Sequence, residues 1–163
     1  MFLVGVISEN KEIIKWLKQN FKKNEADIID LNSETIENFK NVKFDIILIS
    51  NLKNYEESIF FKKVLINSDI CVINADVKEN LKFLEYIKGV VITYGFNSKS
   101  TITLSSVEDN KISVCIQRAI KNIKGEIIEP IEYVQIIEKI KNVEITDIIG
   151  IKTIEILLAK KKI

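Results

Sequence analysis

The chain has 163 residues, of which 47% are hydrophobic and 29% charged, with one Pro and five Gly. This length and composition are typical of one globular domain with its own core, so we expect a single domain over residues 1–163. The 24 Lys and Arg almost balance the 23 Asp and Glu, which gives no support for binding to nucleic acid or to an anionic membrane. The sequence contains no His, and this excludes Ser-His catalysis, Cys-His catalysis and metal sites built on histidine.

The first apolar run, Phe2 to Ser8, has no basic region before it and is too short for a secretory signal. No other stretch approaches the roughly 20 apolar residues that a membrane span needs. We therefore predict a cytoplasmic protein. The two cysteines, Cys71 and Cys115, lie in apolar runs without the spacing of a zinc site, so we predict two buried free thiols.

The first 98 residues alternate short apolar runs with segments of helical periodicity. The predicted strands are 2–8, 26–31, 44–50, 68–76 and 89–94. The predicted helices are 11–24, 54–67 and 78–88, with a shorter helical segment over 33–39. Ser33 is the expected cap of that shorter segment, and Ile59, Phe60, Val64 and Leu65 are the expected buried face of the second helix. This alternation predicts a parallel sheet with right-handed crossovers.

The pattern changes after Asn97. Three strands follow without helices between them, at 101–107, 111–118 and 126–137, which predicts an antiparallel sheet; a switch into helix near Arg118 stays open. A closing helix over 144–160 contains Gly150 at a modest cost. The predicted fold class is α/β, with a three-layer parallel sheet of the P-loop or Rossmann-like kind over 1–98. A small antiparallel sheet and the terminal helix follow over 99–163, and Val90–Ser106 joins the two parts.

The first strand-to-helix turn, Gly5 to Glu12, is the place where a doubly wound fold usually binds phosphate. Gly5 and Lys11 have the separation of the outer Gly and the Lys in a phosphate-binding G-x-x-x-x-G-K-[ST] loop, which makes Lys11 a candidate cofactor ligand. However, Asn10 replaces the second Gly and Glu12 replaces the hydroxyl residue. The alternative is that Glu9 and Glu12 simply complement the first turn of the helix.

Three further candidate ligand residues lie where predicted strands end. Asn74 and Asp76 end the fourth strand and Tyr94 ends the fifth, at the edge of the sheet where ligands of such folds collect. Gly95 would allow a sharp exit from the fifth strand. The alternative is that Asp76 caps the helix beginning near Lys78. The segment 98–100 is expected to be a solvated turn without nucleophilic chemistry.

Two of these strand ends carry a family resemblance. Ile73-Asn74-Ala75-Asp76, then Val91-Ile92-Thr93-Tyr94-Gly95-Phe96-Asn97 and Ser100-Thr101-Ile102-Thr103, resemble the central domain of the Mur ligases, the ATP-dependent amide-bond ligases of peptidoglycan synthesis. The likeness extends over roughly 68–158 and is most specific over 73–103. It implies that Asn74 touches the adenine of ATP and that Asp76 lies beside it.

The departures from that family bear on function. The glycine-rich loop is degraded, the middle segment is expected to be too short for the family's metal-binding Glu and His, and we expect these residues not to include the C-terminal ligase domain. ATP is implied by the resemblance alone, and the degraded loop weakens it. We expect a catalytically inactive Mur-ligase-like domain that acts as a binding or regulatory module. A small nucleotide-binding protein or enzyme that uses Asn74 and Asp76 is the alternative, and a structural, oligomer-forming protein is a third. The expected partner is another protein or a second copy of the chain.

Overall fold

The computed structural model describes residues 1–22, 25–52, 58–109, 111–135 and 140–159, and the side chains of 133–135 are outside this description. The strands in these ranges are β1 (Phe2–Ile7), β2 (Ala26–Asp30), β3 (Phe44–Ile49), β4 (Ser68–Asn74), β5 (Val90–Tyr94), β6 (Ile102–Glu108), β7 (Lys111–Ile116), β8 (Ile120–Lys121), β9 (Ile127–Ile128) and β10 (Ile131–Gln135). The helices are α1 (Lys11–Asn20), α2 (Ile59–Ile66), α3 (Lys78–Leu81) and α4 (Ile145–Leu157), with 3-10 turns at Ile36–Phe39 and Leu84–Tyr86.

Within the described ranges, eight strands form one mixed sheet in the order β10-β7-β6-β5-β4-β3-β1-β2, and β8 pairs with β9 in a separate two-stranded sheet. Strands β1 to β5 are parallel, and β6 pairs in parallel with β5. Strand β7 is antiparallel to both of its neighbours, β6 and β10. The parallel part has the order 2-1-3-4-5, so the winding reverses between β1 and β3. Doubly wound sheets bind ligands outside the carboxyl ends of the strands at such a switch point. The topology therefore directs attention to the ends of β1 and β3.

Helices cover both faces of the parallel part, which confirms the predicted α/β class. On one face, α1 and α4 bury side chains such as Leu17 and Ile151 against β1, β3 and β4. On the other face, α2 and the two 3-10 turns pack on the sheet, and the rings of Phe61 and Phe83 meet edge to face with centroids 5.0 Å apart. Because both faces are covered, β3 is almost continuously apolar.

The predicted join at Val90–Ser106 contains the end of β5 and the start of β6. These two strands pair at one position only, Tyr94 with Ile102, and Gly95 leaves β5 with a φ of +145° that favours glycine. The three antiparallel strands thus continue the parallel sheet and do not form a second sheet. In the turn between them Ser100 is only 1% exposed, so the prediction that it is solvated was wrong.

The helices on the second face are shorter than predicted. The segment 78–88 is divided into α3 and a 3-10 turn. The N–H of Phe83 donates to the Asn80 carbonyl at 3.3 Å and the N–H of Tyr86 to the Phe83 carbonyl at 3.0 Å, which is the three-residue spacing of 3-10 geometry. The segment 33–39 is a 3-10 turn, and its entry is formed by Asn32, whose Oδ1 accepts hydrogen bonds from two backbone N–H groups, and not by Ser33.

Helix α2 begins at Ile59, with Ser58 Oγ accepting a hydrogen bond from the Phe61 N–H at 3.3 Å. Residues 54–57 of the predicted helix lie outside the described residues. In α2 Phe61, Val64 and Leu65 are buried, whereas Ile59 is 61% exposed. The prediction was therefore correct for Val64 and Leu65 and wrong for Ile59, and Phe60 is only partly buried against the core.

The predicted strand 126–137 is interrupted at Pro130, which has no N–H to donate, and it forms β9 and β10; residues 136 and 137 lie outside the described residues. The helical alternative near Arg118 does not form.

Both cysteines are free thiols as predicted, but Cys115 is only partly buried. Burial raises the pKa of Cys71 to about 11. Within the described part of the chain, no helix is long and apolar enough to cross a membrane.

Candidate functional site

A polar cleft of about 220 Å³ opens at the carboxyl ends of β1, β3 and β4. The described residues that line it are Ser8, Glu9, Asn10, Ser50, Asn51, Asn74, Val77, Glu144, Thr146 and Asp147. The N-termini of α1 and α4 meet at this place, since Asn10 precedes α1 and Glu144 precedes α4. The cleft therefore occupies the switch point between β1 and β3 that the strand order indicates.

The first wall of the cleft is the turn between β1 and α1. Asn10 caps α1, because its Oδ1 accepts a hydrogen bond from the Glu12 N–H at 3.0 Å. Its own N–H donates to Ser8 Oγ at 3.1 Å, and its Nδ2 donates to the carbonyl of Asn142 at 2.9 Å. The Asn10 side chain thus occupies a backbone N–H of α1 that a bound phosphate would otherwise accept a hydrogen bond from.

Lys11 does not turn towards this cleft. Its Nζ lies 2.8 Å and 3.0 Å from the two carboxylate oxygens of Asp30, at the end of the edge strand β2. Both side chains are partly exposed, so the pair contributes little to stability. The sequence-predicted cofactor ligand is thereby engaged with a carboxylate of the protein, and Glu12 faces Lys15 at 3.6 Å as a helix-surface pair.

The second wall is formed by Ser50, just after β3, and Asp147, in the first turn of α4. Ser50 Oγ donates a hydrogen bond of 2.6 Å to Asp147 Oδ1, and the two residues are 6% and 8% exposed. Burial raises the pKa of Asp147; the Ser50 hydrogen bond opposes this rise and the charge of Glu144 adds to it. Among the described residues no cation compensates this buried carboxyl group.

Tyr94 was predicted to line the ligand edge, but it lies behind the cleft with 0% of its surface exposed. Its ring packs against Gly150 of α4, where a Cβ atom would come within 2.8 Å of Tyr94 Cζ. Burial raises the pKa of the Tyr94 hydroxyl well above 10.0, and Asp147 adds to the rise. Ser50 lies close enough to the Tyr94 hydroxyl to lower its pKa and so to oppose this rise. However, Ser50 donates its hydroxyl hydrogen to Asp147, and the Tyr94 hydroxyl has no hydrogen bond among the described residues.

The floor of the cleft contains Asn74, which is 4% exposed. Its Oδ1 accepts a hydrogen bond from the Asp76 N–H at 3.0 Å, while no described residue bonds to its Nδ2. Asn80 holds this floor in place, because its Nδ2 donates to the carbonyls of Ser50 and Asn74 at 3.0 Å each. The structure thus brings Asn74 to the cleft, with its amide nitrogen available to a ligand.

Asp76 is at the same edge but performs a different task. Its carboxylate accepts hydrogen bonds from the N–H groups of Phe96 at 2.7 Å and Asn97 at 3.1 Å, and it thereby anchors the turn after β5. The residue that precedes α3 is Val77, and among the described residues no side-chain hydrogen bond caps the start of this helix. The alternative that Asp76 is a helix cap was therefore wrong, and both of its oxygens are already engaged.

The cleft has the chemistry of an acceptor-rich, negatively charged site. Glu9, Glu144 and Asp147 are carboxylates, and the described lining residues include no Lys or Arg. The described residues contain no group of three or more His, Cys, Asp or Glu that could hold a metal ion. The triphosphate of ATP does not fit these residues, because the carboxylates would repel it and the helix N–H groups are partly capped.

Comparison of the sequence with models of known protein families and with curated proteins found no match. Sequence reasoning missed Ser50, Glu144 and Asp147. A polar residue where a buried strand ends was a usable signal for Ser50, as it was for Asn74. Asp147 carried no such signal, because an acidic residue in the first turn of a helix is common at exposed positions as well.

Proposed function

We propose that this chain is a catalytically inactive Mur-ligase-like domain that acts as a binding or regulatory module through its strand-end cleft. The resemblance of residues 73–103 links the module to cell-wall metabolism. The single observation that carries the proposal is the pair of carboxyl groups of Glu144 and Asp147 in the cleft, where the described lining residues include no Lys or Arg.

The charge of the cleft supports a binding role over ligase chemistry. Transfer of a phosphoryl group requires cations and N–H donors that stabilise the charge on the phosphate oxygens. Here Lys11 is paired with Asp30, and Asn10 occupies the Glu12 N–H at the start of α1. Carboxylates at the same helix ends would raise the energy of a bound triphosphate. A binding role needs none of these phosphate contacts.

Calorimetric titration with ATP and magnesium tests the proposal. We expect no saturable heat at ligand concentrations up to about 1 mM, which corresponds to a binding free energy weaker than about −4 kcal/mol. The same protein should release no inorganic phosphate from ATP. A Kd in the micromolar range would contradict the proposal.

A small nucleotide-binding protein or enzyme is the second candidate function, and the position of Asn74 in the cleft favours it. The Asn74→Ala variant separates the two candidates. If the wild type binds ATP and the variant does not, while both unfold at similar temperatures, the second candidate is supported. If neither protein binds ATP, the non-catalytic module is supported.

A further inference from the structure

We propose that the strand-end cleft binds a small organic molecule that carries a primary ammonium group and, a few bonds away, an oxygen acceptor. In this arrangement the ammonium group lies against the carboxylates of Asp147 and Glu144, and Asn74 Nδ2 donates a hydrogen bond to the oxygen. The inference rests on the proposed binding role of the cleft and names the chemical class of its ligand.

The first argument is the unbalanced charge of Asp147. Buried carboxylates in proteins are normally paired with a cation, because removal from water is otherwise costly. Asp147 is 8% exposed, and within the described residues its single hydrogen bond is the one from Ser50 to Oδ1. Its Oδ2 is therefore available, and Glu144 lines the same cleft one helical turn earlier.

The second argument is independent and comes from Asn74. Only 4% of the surface of Asn74 is exposed, and the residue lines the cleft. Its Oδ1 accepts a hydrogen bond from the Asp76 N–H, which identifies Nδ2 as the donor end of the amide. No hydrogen bond joins Nδ2 to a described residue, so this nitrogen can donate to an acceptor in the cleft. A ligand oxygen would supply such an acceptor.

The third argument concerns size and the nature of the cation. A cleft of about 220 Å³ is smaller than the roughly 300 Å³ at which sites for drug-sized ligands begin. The described residues offer no cluster of ligands for a metal ion, whereas an ammonium group needs only hydrogen-bond acceptors for its three N–H donors. The carboxylates and the hydroxyl-rich walls provide these acceptors.

Ethanolamine is the probe that carries both groups, and ethylamine and ethanol carry one each. We expect ethanolamine to cause saturable NMR shifts of backbone amides next to the cleft, with a Kd on the order of 1 mM as the small number of its atoms allows. Ethylamine should bind more weakly, and ethanol should not bind. Tetramethylammonium chloride at equal ionic strength is the control for general charge effects and should leave the amides unshifted.

The variant Asp147→Asn keeps the shape of the side chain and the acceptor for Ser50 but removes the charge. It should weaken ethanolamine binding by about tenfold or more, the change expected from the loss of one partly buried charge pair. Asp69→Asn is the matched control, because Asp69 lies near the amino end of β4 and away from the cleft. This variant should bind ethanolamine as the wild type does.

Three results would overturn the inference: no saturable shift with ethanolamine up to about 100 mM, an unchanged affinity in Asp147→Asn, or equal shifts with tetramethylammonium. These outcomes are distinguishable from failure of the proposed function, which would appear as micromolar ATP binding in the separate calorimetric experiment.

Discussion

At the scale of single residues, Asp147 is the side chain whose ionisation matters most for the cleft. Its pKa is raised by burial above the ordinary value of 3.8, so the folded protein holds the proton more tightly than the unfolded chain does. The contribution of the protonated Asp147 carboxyl to the free energy of unfolding is therefore fully present below pH 3.8. It is lost as the pH rises from that value through the raised pKa, because the unfolded chain ionises first.

The Asp147→Asn variant mimics the protonated carboxyl at every pH. We expect it to raise the free energy of unfolding at pH 7 on the order of 1 kcal/mol, within the range of single stabilising substitutions, and to have no advantage near pH 3. Thermal unfolding followed by circular dichroism between pH 3 and 8 measures this difference. The surface variant Asp69→Asn should show no such gain at pH 7. A lower Tm for Asp147→Asn at neutral pH would mean that the ionised carboxylate stabilises the fold.

Gly150 is the second residue for which the contacts give a clear expectation. In an exposed helix, Gly→Ala would stabilise by about 1 kcal/mol. Here the added Cβ would lie 2.8 Å from Cζ and 2.9 Å from the hydroxyl oxygen of Tyr94, which is fully buried. We expect Gly150→Ala to lower the free energy of unfolding by about 1–3 kcal/mol, as overpacking does.

Urea unfolding of Gly150→Ala and of Tyr94→Phe provides the comparison. Tyr94→Phe removes a buried hydroxyl without a hydrogen bond among the described residues, so it should be neutral or stabilising. If Gly150→Ala proved more stable than the wild type, the close packing of α4 on β5 would not be rigid.

At the scale of elements, the turn that follows β5 depends on a carboxylate from the end of β4. Asp76→Ala removes the acceptor of the Phe96 and Asn97 N–H groups. Because the site is exposed and water can replace the carboxylate, we expect a loss of only about 1 kcal/mol, similar to the loss of a helix cap. The amide hydrogens of Phe96 and Asn97 should exchange faster, which NMR-detected hydrogen exchange measures. The exposed carboxylate of Glu85 is the control: Glu85→Ala should leave these two amides unchanged.

At the scale of the whole molecule, the C-terminal segment completes the cleft. Helix α4 packs beside α1 on one face of the sheet, and the Asn10–Asn142 and Ser50–Asp147 hydrogen bonds link its start to the ends of β1 and β3. Residues more than 90 positions apart in the chain therefore face one another. The site belongs to the assembled sheet and not to any single β-α unit.

Three features could be predicted from the sequence: the alternation of strands and helices, the change from parallel to antiparallel strands after Asn97, and the position of Asn74 at a strand end. These features are local, because they follow from the period of apolar residues and from glycine and polar residues where strands stop. The sequence also showed that the turn from Gly5 to Glu12 departs from a phosphate-binding loop.

The way in which these parts combine depends on contacts between distant segments of the folded chain. Lys11 could face a phosphate or a carboxylate, and it faces Asp30 because β2 ends beside the start of α1. Tyr94 is buried because α4 returns over β5 with Gly150 against its ring. Asp147 belongs to the cleft because that same return places it against Ser50, 97 positions earlier in the chain. Contacts over such separations depend on the order of strands in the sheet, and the local pattern of residues carries no record of that order.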